Sequence, residues 1–258
     1  MGRKPGESLG GPSQKMWWVD DPCGQNYVII AQVLLALSGL LGAVQANFLG
    51  PVTVPFLIWH EATWLLAAWA HLATSLQDPG AMPRGSAEAL APKDVEGAPE
   101  VRWCKHCQLV KTYRVHHCST CQRCIKKMDH HCMWMNNCIG AKNQKQFLVF
   151  LSYTSLHCSG ALLSSLYCLF LATTLEGDRI NPVVRGASAA GALLAVGLGR
   201  FAASLLREQV SAIRRNQTGI EALKGTPGEP RPFRTSIQEV CGRLSWRWLF
   251  PLPAVSAV

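Results

Sequence analysis

Residues 104–138 read CKHCQLVKTYRVHHCSTCQRCIKKMDHHCMWMNNC. Seven cysteines fall in this stretch, Cys104, Cys107, Cys118, Cys121, Cys124, Cys132 and Cys138, with His106, His116, His117, His130 and His131 among them. Sulfur and imidazole at such density suit tetrahedral zinc. The run Asp129-His130-His131-Cys132 also suits an activated thiolate, because an acid, a histidine and a thiol stand within four positions. A structural metal module, a nucleophile site and a combination of the two all fit the stretch.

Ligand counting favours the combination. Two closed zinc sites need eight ligands, since a structural site leaves no open position. Cys104-x2-Cys107 and Cys118-x2-Cys121 are knuckles, in which one tight turn brings two sulfurs to one metal. Cys124 and Cys138 raise the sulfurs to six besides Cys132, and two histidines complete eight. Cys132, beside the pair His130-His131, is then the spare thiol. Spacing gives the total and leaves open how the eight divide.

The stretch resembles the cysteine-rich domain of the DHHC protein S-acyltransferases, the integral-membrane palmitoyltransferases. The match reads Cys104-x2-Cys107-x9-His117-Cys118-x2-Cys121-x2-Cys124-x4-Asp129-His130-His131-Cys132-x5-Cys138-x4-Asn143. The resemblance implies one zinc on Cys104, Cys107, His117 and Cys124, and a second on Cys118, Cys121, His131 and Cys138. It implies Asp129 as orienting acid, His130 as base and Cys132 as nucleophile. A free thiol has a pKa of about 8.5, so near neutrality little of it is thiolate. A histidine that takes the proton, held in one tautomer by a carboxylate, overcomes that. The implied reaction is ping-pong: the thiolate attacks a fatty acyl-CoA, releases CoA, and passes the acyl group to a substrate cysteine. Thioester exchange is nearly even in energy, so positioning matters more than driving force.

Long apolar runs flank the cluster. Residues 27–50 carry no charged side chain, and a span needs roughly 20 such residues. Residues 51–76 are interrupted only by His60, Glu61 and His71, and residues 147–174 only by His157. The fourth run, 183–206, holds Arg185, Arg200 and many Gly and Ala residues, which permit close helix packing in a bilayer. The expected fold is therefore an all-α integral membrane protein, a four-helix bundle with a small zinc-binding domain of loops and short hairpins. The expected divisions are 1–26 as a cytosolic N-terminal segment, 77–146 as the cytosolic cysteine-rich domain and 207–258 as a cytosolic tail.

Charge sets the orientation. Segment 77–146 carries eleven Lys and Arg, the tail from 207 eight and the N-terminal segment three, while the turn between the first two spans has none. By the positive-inside tendency the cysteine-rich loop and both termini face the cytosol. This placement accounts for the net charge of +9 as basic flanks near anionic lipid, without nucleic acid. A reducing compartment also suits so many thiolates. No cleavable signal peptide is expected, because residues 1–15 are polar. Gly2 does not open a myristoylation motif, since Gly6 stands where Ser or Thr is needed. The sequon Asn216-Gln217-Thr218 falls on the expected cytosolic side. Trp17, Trp18, Trp246 and Trp248 suit interfacial anchors, and Cys23 and Cys241 are candidates for acylation near the membrane.

Asp78-Pro79-Gly80 and Thr218-Gly219-Ile220-Glu221 resemble the family's DPG and TTxE motifs, with Gly219 in place of the second threonine. Together with Met16-Trp17-Trp18 and the short length, they resemble a small Golgi-type subgroup. Met133 stands where the family usually has proline, and Thr112 where it often does, and both changes loosen the backbone. The implied partners are the bilayer, acyl-CoA and proteins with acceptor cysteines. A catalytically weak or inactive scaffold of the same fold is an alternative. A membrane-anchored zinc interaction module of RING type is disfavoured, because no Cys-x2-Cys pair follows Cys138.

Overall fold

The computed structural model describes residues 17–47, 50–83, 102–111, 113–174 and 182–254. Thr112 and Met16 lie outside them. Four long helices dominate: α1 (Pro22–Ala46), α2 (Thr53–Leu76), α3 (Gln144–Thr173) and α4 (Pro182–Arg214). Six short strands follow α2, and two small helices, α5 (Gly219–Leu223) and α6 (Phe233–Cys241), follow α4. The chain divides into two compact units, one of Ile29–His71 with Leu148–Gln209, the other of Met1–Val28, Leu72–Phe147 and Val210–Val258.

The first unit buries polar side chains among apolar ones and exposes large apolar side chains. Ser38 bonds His157 at 2.9 Å, Gln32 bonds His71 at 2.9 Å, and Gln45 bonds Ser164 at 2.7 Å and Ser165 at 3.0 Å. Outside stand Ile29, Leu40, Leu163, Phe170 and Leu193, all exposed. That arrangement suits lipid, where apolar surface needs no covering and polar groups must find partners inside. Among the described residues α1, α3 and α4 are long and apolar enough to cross a membrane. The chain is a membrane protein. The helix α2 is equally long but falls short of that hydropathy, because His60, Glu61 and His71 interrupt it. Glycines set the close approaches: Trp64 rests on Gly39 of α1, His60 on Gly42, and Trp59 on Gly160 of α3. His60 is fully buried, its ring 4.3 Å from that of His157.

The second unit is built on three antiparallel hairpins: β1 (Arg102–Cys104) with β2 (Leu109–Lys111), β3 (Val115–Cys118) with β4 (Arg123–Lys126), and β5 (His130–Cys132) with β6 (Asn137–Ile139). The two Cys-x2-Cys knuckles form the first two turns, and each leads into a glutamine with positive φ, Gln108 at 52° and Gln122 at 53°. The Asp-Pro-Gly segment lies along β4. Asp78 Oδ1 accepts the Gly80 and Ala81 amides at 2.9 and 2.7 Å, and the Met82 amide donates to the Cys124 carbonyl at 2.8 Å. Asn137 Nδ2 donates to carbonyls at the end of α2, those of Thr74, Ser75 and Gln77.

Two of the expected surface roles are corrected. Trp17 is only 3% exposed and packs with Val19, Ile125 and Met128 around Cys118, Cys121 and Cys138, so it is a core residue of this unit. Cys241 is buried, which removes it as an open acylation site, whereas Cys23 is exposed.

Candidate active site

Hairpin register assembles the two ligand sets. His117 faces Cys124 across β3 and β4, and His131 faces Cys138 across β5 and β6. Each cross-strand pair meets the knuckle of the preceding hairpin, so Cys104, Cys107, His117 and Cys124 form one group. Cys118, Cys121, His131 and Cys138 form the other, and within each group the ligand atoms lie within 4.8 Å of one another. The middle hairpin serves both groups, with His117 and Cys118 as neighbours on alternate faces of β3.

The donor set fits zinc. With Zn–S near 2.3 Å and Zn–N near 2.0 Å, tetrahedral ligands stand roughly 3.5 to 3.8 Å apart. His117 Nδ1 lies 3.6, 3.3 and 3.9 Å from the sulfurs of Cys104, Cys107 and Cys124. His131 Nδ1 lies 3.6, 3.4 and 3.7 Å from those of Cys118, Cys121 and Cys138. Both clusters are compatible with zinc. Two other histidines stay out of the ligand sets. His106 stacks on His117 at 4.9 Å, and His116 is buried beside Lys224, which together with burial holds its pKa down to about 4.

Strand alternation divides the Asp-His-His-Cys run. On β5 His131 turns to the second cluster, so His130 and Cys132 share the opposite face. His130 Nδ1 meets Asp129 Oδ2 at 2.7 Å. A carboxylate only accepts, so Nδ1 carries the proton and Nε2 is left free to serve Cys132, which shares this face of β5. Burial favours the neutral ring, but Asp129 and Cys132 outweigh it and raise the His130 pKa to about 10. Phe147 meets the ring edge-on at 5.7 Å. Cys132 itself is only 7% exposed. A thiol beside an imidazole that is strongly stabilised as imidazolium has a favourable destination for its proton.

The C-terminal segment completes the cluster from behind. Asp129 Oδ1 accepts the Gly219 amide at 2.6 Å, and the Asp129 amide donates to the Ile139 carbonyl at 2.8 Å. Thr218 and Glu221 form a capping box at the start of α5. Arg114, in a left-handed conformation at φ 61°, forks onto both Glu221 carboxylate oxygens at 2.7 and 2.8 Å and onto Asn216 Oδ1 at 2.9 Å. The sequon asparagine is thus a buried structural partner.

A sequence profile of the DHHC palmitoyltransferase family matches residues 98–226, half of the chain. The chain belongs to the DHHC palmitoyltransferase family. It is a protein S-acyltransferase. The probable protein S-acyltransferase 13 of Arabidopsis thaliana is 31% identical over 249 residues, covering 89% of this chain and 81% of the relative. Palmitoyltransferase ZDHHC7 of Mus musculus is 32% identical over 231 residues, covering 82% and 72%. Palmitoyltransferase ZDHHC20 of Bos taurus is 56% identical, but over only 75 residues, 29% of this chain and 18% of the relative. Similarity is therefore densest in a short stretch.

Two partners of the DHHC run escaped sequence reasoning, the Gly219 amide and Phe147, and so did Arg114, which holds the Glu221 end of the segment that carries Gly219. Gly219 acts through its backbone and Arg114 over about a hundred residues of chain. The TTxE-like run Thr218-Gly219-Ile220-Glu221 marked that segment without giving its partners, and its Thr218-x2-Glu221 spacing is also that of a capping box.

Proposed function

We propose that Cys132 is the nucleophile of this acyltransferase, with His130 as its base and Asp129 as the group that orients His130. The single observation that carries this reading is the split of β5, which sets His130 and Cys132 on one face and His131 in a metal-ligand group on the other. His130 takes the Cys132 proton, and the thiolate attacks the thioester carbon of a fatty acyl-CoA. The bond to the CoA sulfur breaks, and CoA leaves with the proton from the imidazolium. An acceptor cysteine then gives its proton to His130 and attacks the acyl-Cys132 thioester, returning Cys132 as thiolate. The eight cluster residues would hold two zinc ions as structure, so their contribution is the rigidity of the hairpins beneath β5.

The bundle reads best as four spans. α2 has the length of a span, and its His60 and His71 are buried among the helices rather than facing lipid, His71 bonded to Gln32. The basic excess of 77–146 and of the tail supports a cytosolic cysteine-rich domain with both termini on the same side. Resemblance of the short motifs to the small subgroup supports a Golgi membrane.

Incubating the purified protein with a labelled acyl-CoA tests the assignment. A hydroxylamine-sensitive label is expected on Cys132, lost in Cys132→Ser and slowed by about 10² or more in His130→Ala, with zinc content intact in both. Cys138→Ser should instead lower the zinc content. A label that survives in Cys132→Ser would overturn the nucleophile.

A further inference from the structure

The segment after α6 carries an apolar and basic surface that the acyl transfer does not use. After α6 the chain forms a short 3-10 helix, Trp246–Leu249. Leu244, Trp246 and Leu249 are 77%, 64% and 60% exposed, three large apolar side chains within six residues, and such clustered exposure marks an interaction surface. The Arg247 guanidinium stacks 5.8 Å over the Trp246 ring. No Asp or Glu follows Glu239, while Arg243 and Arg247 do, and Glu239 is itself taken by Lys127 and Arg231.

Two contacts fix where this surface stands. The Lys145 ammonium, in the first turn of α3, donates to the carbonyls of Arg247 and Leu252 at 2.8 Å each. At the last turn of α4 the Arg214 guanidinium lies 5.4 Å over the Phe233 ring of α6. The Lys145 contacts therefore tie the segment to the first turn of α3, the level at which that candidate span enters the bilayer, while the Arg214 contact ties α6 to the polar extension of α4. Tryptophan and leucine beside arginine, free of acid, are what the interface of an anionic leaflet accepts.

We infer that residues 243–249 form a membrane-surface anchor that seats Leu244, Trp246 and Leu249 among acyl chains and binds anionic phospholipid headgroups through Arg243 and Arg247. The inference rests on α3 and α4 crossing the bilayer and is independent of the chemistry at Cys132. The test uses the full-length protein in nanodiscs whose phosphatidylcholine carries bromine on its acyl chains, a quencher of tryptophan. If Trp246 sits in the interface, Trp246→Phe lowers the quenched share of total emission. If Trp246 lies in water, or under a second copy or another protein, the same change raises that share and the anchor is overturned. Adding phosphatidylserine should increase quenching in the wild type and leave Arg243→Glu/Arg247→Glu unchanged. Equal responses of the two proteins would overturn the role of anionic lipid. Unaltered zinc content certifies that each variant is folded, and acyl-CoA labelling of Cys132 reports separately on the enzyme.

Discussion

Asp129 Oδ1 accepts the Gly219 amide at 2.6 Å while its Oδ2 faces His130 Nδ1 at 2.7 Å. The carboxylate is thus held from both ends, and the donor comes from backbone, which makes the side chain at 219 dispensable for this bond. Gly219 is the first residue of α5, and Thr218 before it lies at φ −82° and ψ 162°, a conformation that tolerates a following proline. Gly219→Pro deletes the N–H and puts a ring carbon in its place. A hydrogen bond to a charged group contributes about 1.5–3 kcal/mol, so acylation of Cys132 should slow roughly 10- to 150-fold with zinc retained. Gly219→Ala keeps the donor. Its Cβ would stand 3.1 Å from the Asp129 carbonyl, a fit that requires only a small shift, and its rate should stay within about threefold. Single-turnover labelling measures both, and equal rates for proline and alanine would sink the clamp.

The Arg114–Glu221 pair should set an acid limit on stability. Their side chains are 10% and 8% exposed. Burial alone would raise the Glu221 pKa, but Arg114 and Thr218 outweigh it and hold it below the usual carboxylate value. The stabilisation is therefore complete above the unfolded value of about 4.3 and is lost as pH falls through the folded one. Glu221→Ala leaves the Arg114 charge without its main partner and should cost about 3 kcal/mol at neutral pH. Glu221→Gln preserves the capping box and should cost less, while flattening the acid side of a stability-against-pH curve. Thermal melts in detergent across pH 3 to 8 distinguish the two, and parallel curves for wild type and Glu221→Gln would refute the pairing.

What the sequence discloses depends on how far each interaction reaches. Cysteine and histidine spacing reveals eight ligands because knuckles and cross-strand pairs are local, and strand alternation then explains why His131 parts from His130 and Cys132. The long apolar runs disclose helices because each needs only its own composition. Trp17 reads as an interface residue on composition, yet it is buried against Cys118, Cys121 and Cys138, a partner set about a hundred residues away. The Gly219 amide has no side-chain signature at all. The last turns of α4, which continues to Arg214 beyond its apolar run, are hidden for a simpler reason: Arg207, Glu208, Arg214 and Arg215 end the hydropathy signal before the helix ends.

Helix packing in the bundle should be most sensitive at Gly160. A Cβ there would fall on the Trp59 ring, and a helix backbone has little room to move aside. Gly160→Ala should lower stability by about 1–3 kcal/mol, the usual cost of overpacking. Gly197 is the contrast, since a Cβ there would meet nothing within 4 Å. Gly197→Ala should be neutral or slightly stabilising, because alanine is the better helix former. Comparative thermal unfolding of the purified variants decides it. Equal melting of the two would mean that Trp59 does not pack on α3 as described.

Met133 replaces the proline usual after the nucleophile, and the backbone around it remains suited to proline. It occupies the first position of a 3-10 helix, Met133–Met135, where an amide has no acceptor within the helix and proline is favoured. Cys132 before it lies at φ −100° and ψ 109°, in the extended region that a following proline imposes. The Met133 side chain is 49% exposed, so truncating it opens no core cavity. Met133→Pro should therefore fold with both zinc clusters intact. It should gain about 0.4–1 kcal/mol by restricting the unfolded chain. Because Asp129, His130 and Cys132 keep their places, acyl-CoA labelling should change by no more than about threefold. Thermal melts give the first quantity and single-turnover labelling the second. A large loss of labelling with stability gained would show instead that the looser backbone at Met133 is itself required for Cys132 to react.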